Sequence, residues 1–595
     1  MALFLLGPGA FAAELHVPSQ HTTIQSAVDA AADGDHVVVG PGTWRDPIDL
    51  RGKKITLRSS DGAAATILDG SAHDTSIIVA IRRESAATVV QGFTFRGGTG
   101  YKPFACGNPF PKGGAIFVLR GALTVSDCVF EDNGATDVVS GEELIDSGGA
   151  IFACESGLTV TNTRFERNGA SNGGAIDVIA VGRQAVVVEG STFRNNRGGF
   201  AGALGLTMWV ASTARVQDNV FENNRAAFGG AVVTILRNET YATVRSNTIR
   251  DNRSNGSGGG LYATMAESAA FILTDVEFVR NVGSHGGGLL ITASEESTAT
   301  VANCSFSGGD ASFGGGAHFS TSDAASIDVS GCDFSGNDAG MGGGVFAMAR
   351  DVSHVRIHQA RVLDNVAHFK PDVGIYWDLT CFKDGREPEG NGLYFGGGVD
   401  LRVTNGGTIV LANSLIAGND GMRGGGVHAS TCSGGAIDLV NDTIVDNGGT
   451  GAHIRYGLST RPDATDLGTI RLVNSIVRSN TADEILIDRL DPRAAPAVAY
   501  NNVEGGYAGA GNVDLPPSFV DAAARDYRLA QGSACIDSGD NTALADPIDR
   551  TDLAKQPRRV DDPSTGDRGI GPAPVVDLGA YEYQPLRSRR RAVGR

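Results

Sequence analysis

Residues 165–176 read Phe165-Glu166-Arg167-Asn168-Gly169-Ala170-Ser171-Asn172-Gly173-Gly174-Ala175-Ile176. The pattern returns 28 residues on, as Phe193-Arg194-Asn195-Asn196 followed by Ala201-Gly202-Ala203-Leu204. A Gly-Gly-(Ala/Gly)-aliphatic motif recurs along the chain, with its second glycine at 114, 149, 174, 202, 230, 259, 287, 315, 343, 397 and 425. An apolar-x-x-Asn motif precedes most copies, with Asn133, Asn168, Asn196, Asn224, Asn252, Asn281, Asn337, Asn365 and Asn419. In seven repeats the asparagine stands six or seven residues before the second glycine. Units this short cannot bury a face alone and must stack on their neighbours.

Between the motifs the sequence alternates with a period of two, as in Leu123-Thr124-Val125 and Ile327-Asp328-Val329. That is strand patterning, with polar turns and no helix between. Several short strands per 28-residue turn predict an all-β chain, a right-handed parallel β-helix whose coils stack at roughly 4.8 Å. The glycines permit tight corners and the asparagines an amide ladder up the stack. About 15 coils give a rod on the order of 70 Å long. Ile24–Ala31 reads as a short amphipathic N-terminal cap helix, covering an end that otherwise exposes strand edges.

The organisation expected is a signal peptide over 1–13, an N-terminal cap and first coils over 14–70, and β-helix repeats over 71–500. A C-terminal cap and tail follow over 501–595. Residues 2–13 are apolar and end in Ala10-Phe11-Ala12, the small-x-small pattern of a secretory signal. No later apolar run reaches the roughly 18–20 residues of a membrane helix. The net charge of −18 argues against nucleic acid or an anionic membrane as partner. Eight cysteines fit an oxidising compartment. Cys304 and Cys332 share one repeat position and so stack as a candidate disulfide; Cys106 with Cys154 and Cys381 with Cys432 are weaker pairs.

The opening TIQSAVDAAADGDHVVVGPGTW, with GKKITLRSSDG and ATILDG, resembles the start of bacterial pectate-lyase-like β-helix proteins. The GGAI and FxxN repeats are similar to those of chlamydial polymorphic outer-membrane proteins. The stretch from NNVEGGYAGAGNVD through YRLAQGSACIDSGD to VDLGAYEYQ is similar to the ends of choice-of-anchor Q domain proteins. These resemblances imply the fold and export. They assign no activity, because such families hold adhesins, lyases and proteins of other roles.

Three insertions interrupt the phase at one corner of the coil: 99–112, 134–147 and 366–395. The third is rich in aromatics, among them Tyr376, Trp377 and Tyr394. In the strand after each Gly-Gly pair the aliphatic side chains point inward, so the residue between them points outward. That outward column runs Phe117, Phe152, Asp177, Gly205, Val233, Tyr262, Leu290, His318, Phe346, Asp400 and His428, then His453. The next outward position gives Arg402, Ser430 and Arg455. A polar patch on three successive coils results.

Three readings of the patch compete. In the first it meets a polysaccharide, with Phe346, Tyr376, Trp377 and Tyr394 packing on sugar faces and Arg455 binding an acidic group. A catalytic form of this reading uses Arg402 to neutralise a uronate carboxylate and His428 or His453, oriented by Asp400, to remove the adjacent proton. In the second, Asp400, His428 and His453 hold a metal, a strained arrangement because Asp400 and His453 stand two coils apart. In the third, the patch is a solvated strand face. Gly283-Ser284-His285-Gly286 resembles a polygalacturonase His motif without its paired aspartates, and His285 reads as a turn residue.

The function expected is a secreted or cell-surface, adhesin-like monomer binding polysaccharide or another surface. The alternatives are a lyase acting on a uronate-containing glycan and a structural spacer without ligand. No cofactor is expected and no metal site is assigned; calcium stays open, although no motif points to it.

Overall fold

The computed structural model describes residues 12–102, 106, 110–134, 146–368, 370, 395–432, 434–456, 468–489, 495–543 and 550–585. The chain divides into two compact units, Met1–Asn255 and Gly256–Arg595. The expected signal segment, most of the third insertion, and Tyr376, Trp377, Cys381 and Tyr394 lie outside the described residues.

The first unit opens with strand Glu14–Val17, paired in parallel with His36–Val39. Between them helix α1, Ile24–Ala30, is started by a capping box in which the Thr23 hydroxyl accepts from the Ser26 amide. Ile24, Ala27 and Val28 form its buried stripe. Regular coils follow. One runs through Ile176–Val181, Ala185–Glu189, Thr192–Arg194 and the short Arg197–Gly198. Each strand pairs in parallel with its counterpart one repeat on: Ile176 with Leu204, Val186 with Ala214, Phe193 with Phe221, Arg197 with Arg225.

A 28-residue phase makes like residues stack. The rings of Phe95, Phe130, Phe165, Phe193 and Phe221 lie face to face at successive centroid distances of 4.5, 4.9, 4.7 and 4.7 Å. Beside them Asn168 Nδ2 donates to Asn196 Oδ1, Asn196 to Asn224 and Asn224 to Asn252, each at 3.0 Å. Each amide also donates to a backbone carbonyl, as Asn196 does to Phe165 O at 3.1 Å, so the buried polar groups are satisfied. A second ladder, Asn219 to Asn247 at 3.0 Å, occupies the neighbouring corner.

The Gly-Gly pair serves two geometries. Gly173 has φ of +58°, while a Cβ on Gly174 would stand 2.2 Å from the carbonyl oxygen of Gly202. The first glycine turns the chain; the second lets two coils touch.

The second unit repeats this plan. Strands Ala317–Thr321, Val345–Arg350, Val399–Thr404, Val427–Cys432 and Ala452–Tyr456 pair in parallel, in register. Its amide ladder runs Asn337, Asn365, Asn419, Asn447 and Asn480, two steps beyond the motif series read from sequence. The C-terminal segment packs on the outer side of these coils: Tyr527, Leu529, Cys535, Ile536 and Leu578 form one cluster with Leu415, Ala417, Val445 and Ile476. No described helix is long and apolar enough to cross a membrane.

The cysteines correct one expectation. Among the described residues Cys106 and Cys154 form a disulfide, whereas Cys304 and Cys332 are free and buried. The last two occupy the corner where other coils place Asn or Ser, and each thiol points to a carbonyl of the preceding coil, Leu273 and Val301.

Candidate functional site

The outward column has the register expected: Phe346 pairs with Asp400, Asp400 with His428, and His428 with His453. Asp400 O𝛿1 accepts from Arg402 Nε and Oδ2 from Nη2, both at 2.9 Å. Oδ1 also meets His428 Nδ1 at 3.0 Å. The rings of His428 and His453 follow at 5.1 Å. The Arg402 guanidinium lies 5.4 Å from the Phe346 ring centroid and 5.9 Å from that of Phe395. Arg455 stands beside Ser430 in strand register, and its side chain lies outside the described residues.

The column differs from an exposed strand face in being closed. Asp400 and His453 are fully buried, and Phe346, Arg402 and His428 nearly so. Phe395, where the third insertion rejoins the coil, lies 4.6 Å from the His428 ring and 6.0 Å from His453. The first unit shows the same device. There Tyr101 and Cys106, from the first insertion, pack on the outward rings of Phe117 and Phe152. Strand alternation says which side a residue takes; it does not say what lies on that side.

Burial by itself would raise the Asp400 carboxyl, but the Arg402 guanidinium and the His428 ring outweigh it and hold the group well below the usual carboxylate range. An ionised carboxylate only accepts, so His428 Nδ1 carries a proton toward it, and Nε2 lies on the far side of the ring. Both Asp400 oxygens are committed to Arg402. Arg402 is therefore engaged inside the protein rather than held out for a ligand carboxylate, and a metal would have to displace it. His285, expected in a turn, instead forms isolated parallel bridges to Ser257 and Phe313, with its Nδ1 3.0 Å from Ser284 Oγ and its ring stacked on Phe313 at 5.0 Å.

A second locus, which the sequence reading did not single out, lies on the first unit. The short corner strands place Arg197, Arg225 and Arg253 in register on three successive coils, all exposed. A groove of about 680 Å³ is lined there by Asn168, Asn195, Arg197, Asn223 and Arg225, together with Arg167 and its partner Asp132. The exposed side-chain amides of Asn195 and Asn223 make no hydrogen bond among the described residues. Three residues further along the same two coils, Phe200 and Phe228 form a tilted ring pair at 6.0 Å, with Phe228 44% exposed. The signal was in the sequence, as Asn196-Arg197, Asn224-Arg225 and Asn252-Arg253 at 28-residue steps.

Elsewhere, carboxylate oxygens of Asp537, Asp561 and Asp567 lie within 4.8 Å of one another, and two of these three residues are exposed. Burial pushes the Asp537 carboxyl up to about 6.

Residues 53–283 match the family model described as a right handed beta helix region. With the parallel, in-register strands of each unit, this defines the class of protein: a right-handed parallel β-helix. A search of curated proteins gives no match. Among solved structures, the chain is similar to the catalytic domain of a GH87 alpha-1,3-glucanase in complex with tetrasaccharides, at 14% identity over 85% of this chain and 70% of that one, with a TM-score of 0.29. It is similar also to the A-module of the Azotobacter vinelandii mannuronan C-5 epimerase AlgE4, at 13% identity over 80% and 94%, TM-score 0.28. Pectate lyase Pel9A follows at 12% identity over 97% of both chains, TM-score 0.25. Likeness at this level assigns no residue a role.

Proposed function

We propose that this is a polysaccharide-binding β-helix protein of the cell exterior, and that the glycan lies on the Arg197–Phe228 edge of the first unit. The observation that carries the reading is the combination found there: a phenyl pair with Phe228 exposed, three residues from a groove whose lining includes the unengaged amides of Asn195 and Asn223 and the guanidinium groups of Arg197 and Arg225. Sugars present apolar CH faces to aromatic rings and hydroxyls to amides, so one edge offers both halves of that chemistry. The Cys106–Cys154 disulfide supports an oxidising, extracellular setting. Affinity electrophoresis against a panel of neutral and acidic polysaccharides tests the reading. Retardation that the Phe200→Ala/Phe228→Ala double variant loses supports it; equal mobility with and without every polysaccharide overturns it.

A second reading, a uronate lyase, keeps one specific observation in its favour: Asp400 fixes the His428 ring so that Nε2 faces away as the base. Against it, Arg402 is already paired. Rising absorbance at 235 nm with uronate polysaccharide, abolished by His428→Ala, would make this the leading reading.

A further inference from the structure

Resting on the glycan reading above, we infer that the ligand of the first unit is an acidic polysaccharide, whose carboxylate or sulfate groups are taken by the in-register column of Arg197, Arg225 and Arg253. The argument begins with pairing. Arginines on neighbouring corners of the same coils have acidic partners: Arg167 with Asp132 at 2.8 Å, Arg194 with Glu222 at 2.7 Å, Arg250 with Glu222 at 3.3 Å. Arg215 likewise reaches Glu189 at 3.4 Å. Arg197, Arg225 and Arg253 have no ion-pair partner among the described residues, although the protein carries 67 acidic side chains against 49 basic ones.

Three like charges one coil apart repel one another, and parallel strand spacing sets that repeat at roughly 4.8 Å. A chain with repeated negative groups laid across the coils relieves the repulsion at every step. Arginine suits this role because its planar fork binds carboxylate or sulfate through two N–H groups.

The same repeat position in the second unit shows the contrast. It holds Asp310 and Asp338, and one cation serves both: Lys370 contacts Asp310 and lies 3.4 Å from Asp338, which His368 Nδ1 also meets at 2.8 Å. A charged column that supplies its own counter-ions has no need of a ligand; the arginine column supplies none. The amides of Asn195 and Asn223 favour a hydroxyl-rich polymer over a nucleic acid, as does the overall charge of −18.

The test is isothermal titration of the full chain with polygalacturonate, chondroitin sulfate, a neutral galactan of equal length and an oligo(dT). Wild type, an Arg197→Gln/Arg225→Gln/Arg253→Gln variant, the matching triple Lys variant and an Arg194→Gln control are compared. The expected result is binding of an acidic glycan that weakens as salt rises. The Gln variant should lose about tenfold or more in affinity, the sum of three exposed charge contacts. The Lys variant should keep most of the affinity and the control all of it. Preference for polygalacturonate assigns carboxylate; preference for chondroitin sulfate assigns sulfate. Equal affinity of wild type and Gln variant, or binding of the neutral galactan alone, overturns the inference and leaves the glycan reading standing. Tighter binding of oligo(dT) overturns the polysaccharide class. Binding of nothing overturns the parent reading as well.

Discussion

Asp400 and His428, on adjacent coils, share a 3.0 Å hydrogen bond in a fully buried setting, while Arg402 closes both oxygens of the same carboxylate. The three groups form one charged unit, and the stability of the second unit should depend on it. Asp400→Ala leaves the buried guanidinium unpaired and should cost about 3–5 kcal/mol, read by urea unfolding. A loss below 1 kcal/mol would mean that Arg402 finds another partner.

The same group predicts an acid limb. Because the folded-state pKa of Asp400 is depressed, its contribution is present above the ordinary carboxylate range and lost as pH falls through that range and below. Stability of the wild type should therefore fall more steeply below pH 4 than that of Asp400→Asn. Parallel acid-unfolding curves would contradict this.

Asp177, in the outward column of the first unit, has the opposite sign. Burial raises its carboxyl from 3.8 to about 7, with Ser147 and Lys112 opposing and Asp146 adding to the rise. Its ionisation is easier in the unfolded chain, so it subtracts stability as pH rises from 3.8 toward about 7. Asp177→Asn should flatten that decline in thermal melts between pH 4 and 7.

The amide ladder is the next test. Asn224 accepts from Asn196 and donates to Asn252 and to Phe193 O, all at 3.0 Å. Asn224→Ala orphans buried partners on both sides and should cost roughly 2–4 kcal/mol by calorimetry. Asn195→Ala, at the exposed neighbouring position with φ of +57°, should cost only the backbone penalty of about 1 kcal/mol.

Thiol chemistry separates the cysteines. The disulfide closes a segment of 48 residues, so reduction should remove up to about 4 kcal/mol from the first unit. Cys128 is buried with its thiol pushed up to about 12, and should resist alkylation until unfolding.

Repeat phase made the fold legible, because a 28-residue step forces Phe165 onto Phe193 and Asn168 onto Asn196 whatever lies between. It made the register of Asp400, His428 and His453 legible for the same reason. Their burial was not legible. It depends on where an insertion returns, and Phe395 covering His428 is a tertiary contact with no periodic signal. The Cys106–Cys154 bond escaped the stacking argument likewise, since Cys106 lies in an insertion and Cys154 in a strand. The arginine column was written in the sequence at positions 197, 225 and 253. Its meaning emerged only when neighbouring arginines proved paired and these three did not.

Backbone hydrogen exchange of the full chain, with and without saturating polygalacturonate, tests the central claim most directly. The account predicts protection at 195–200 and 223–228, with 399–404 and 427–432 unchanged. Protection confined to the Asp400–His428 strands would contradict it and place the ligand at the buried charged unit instead.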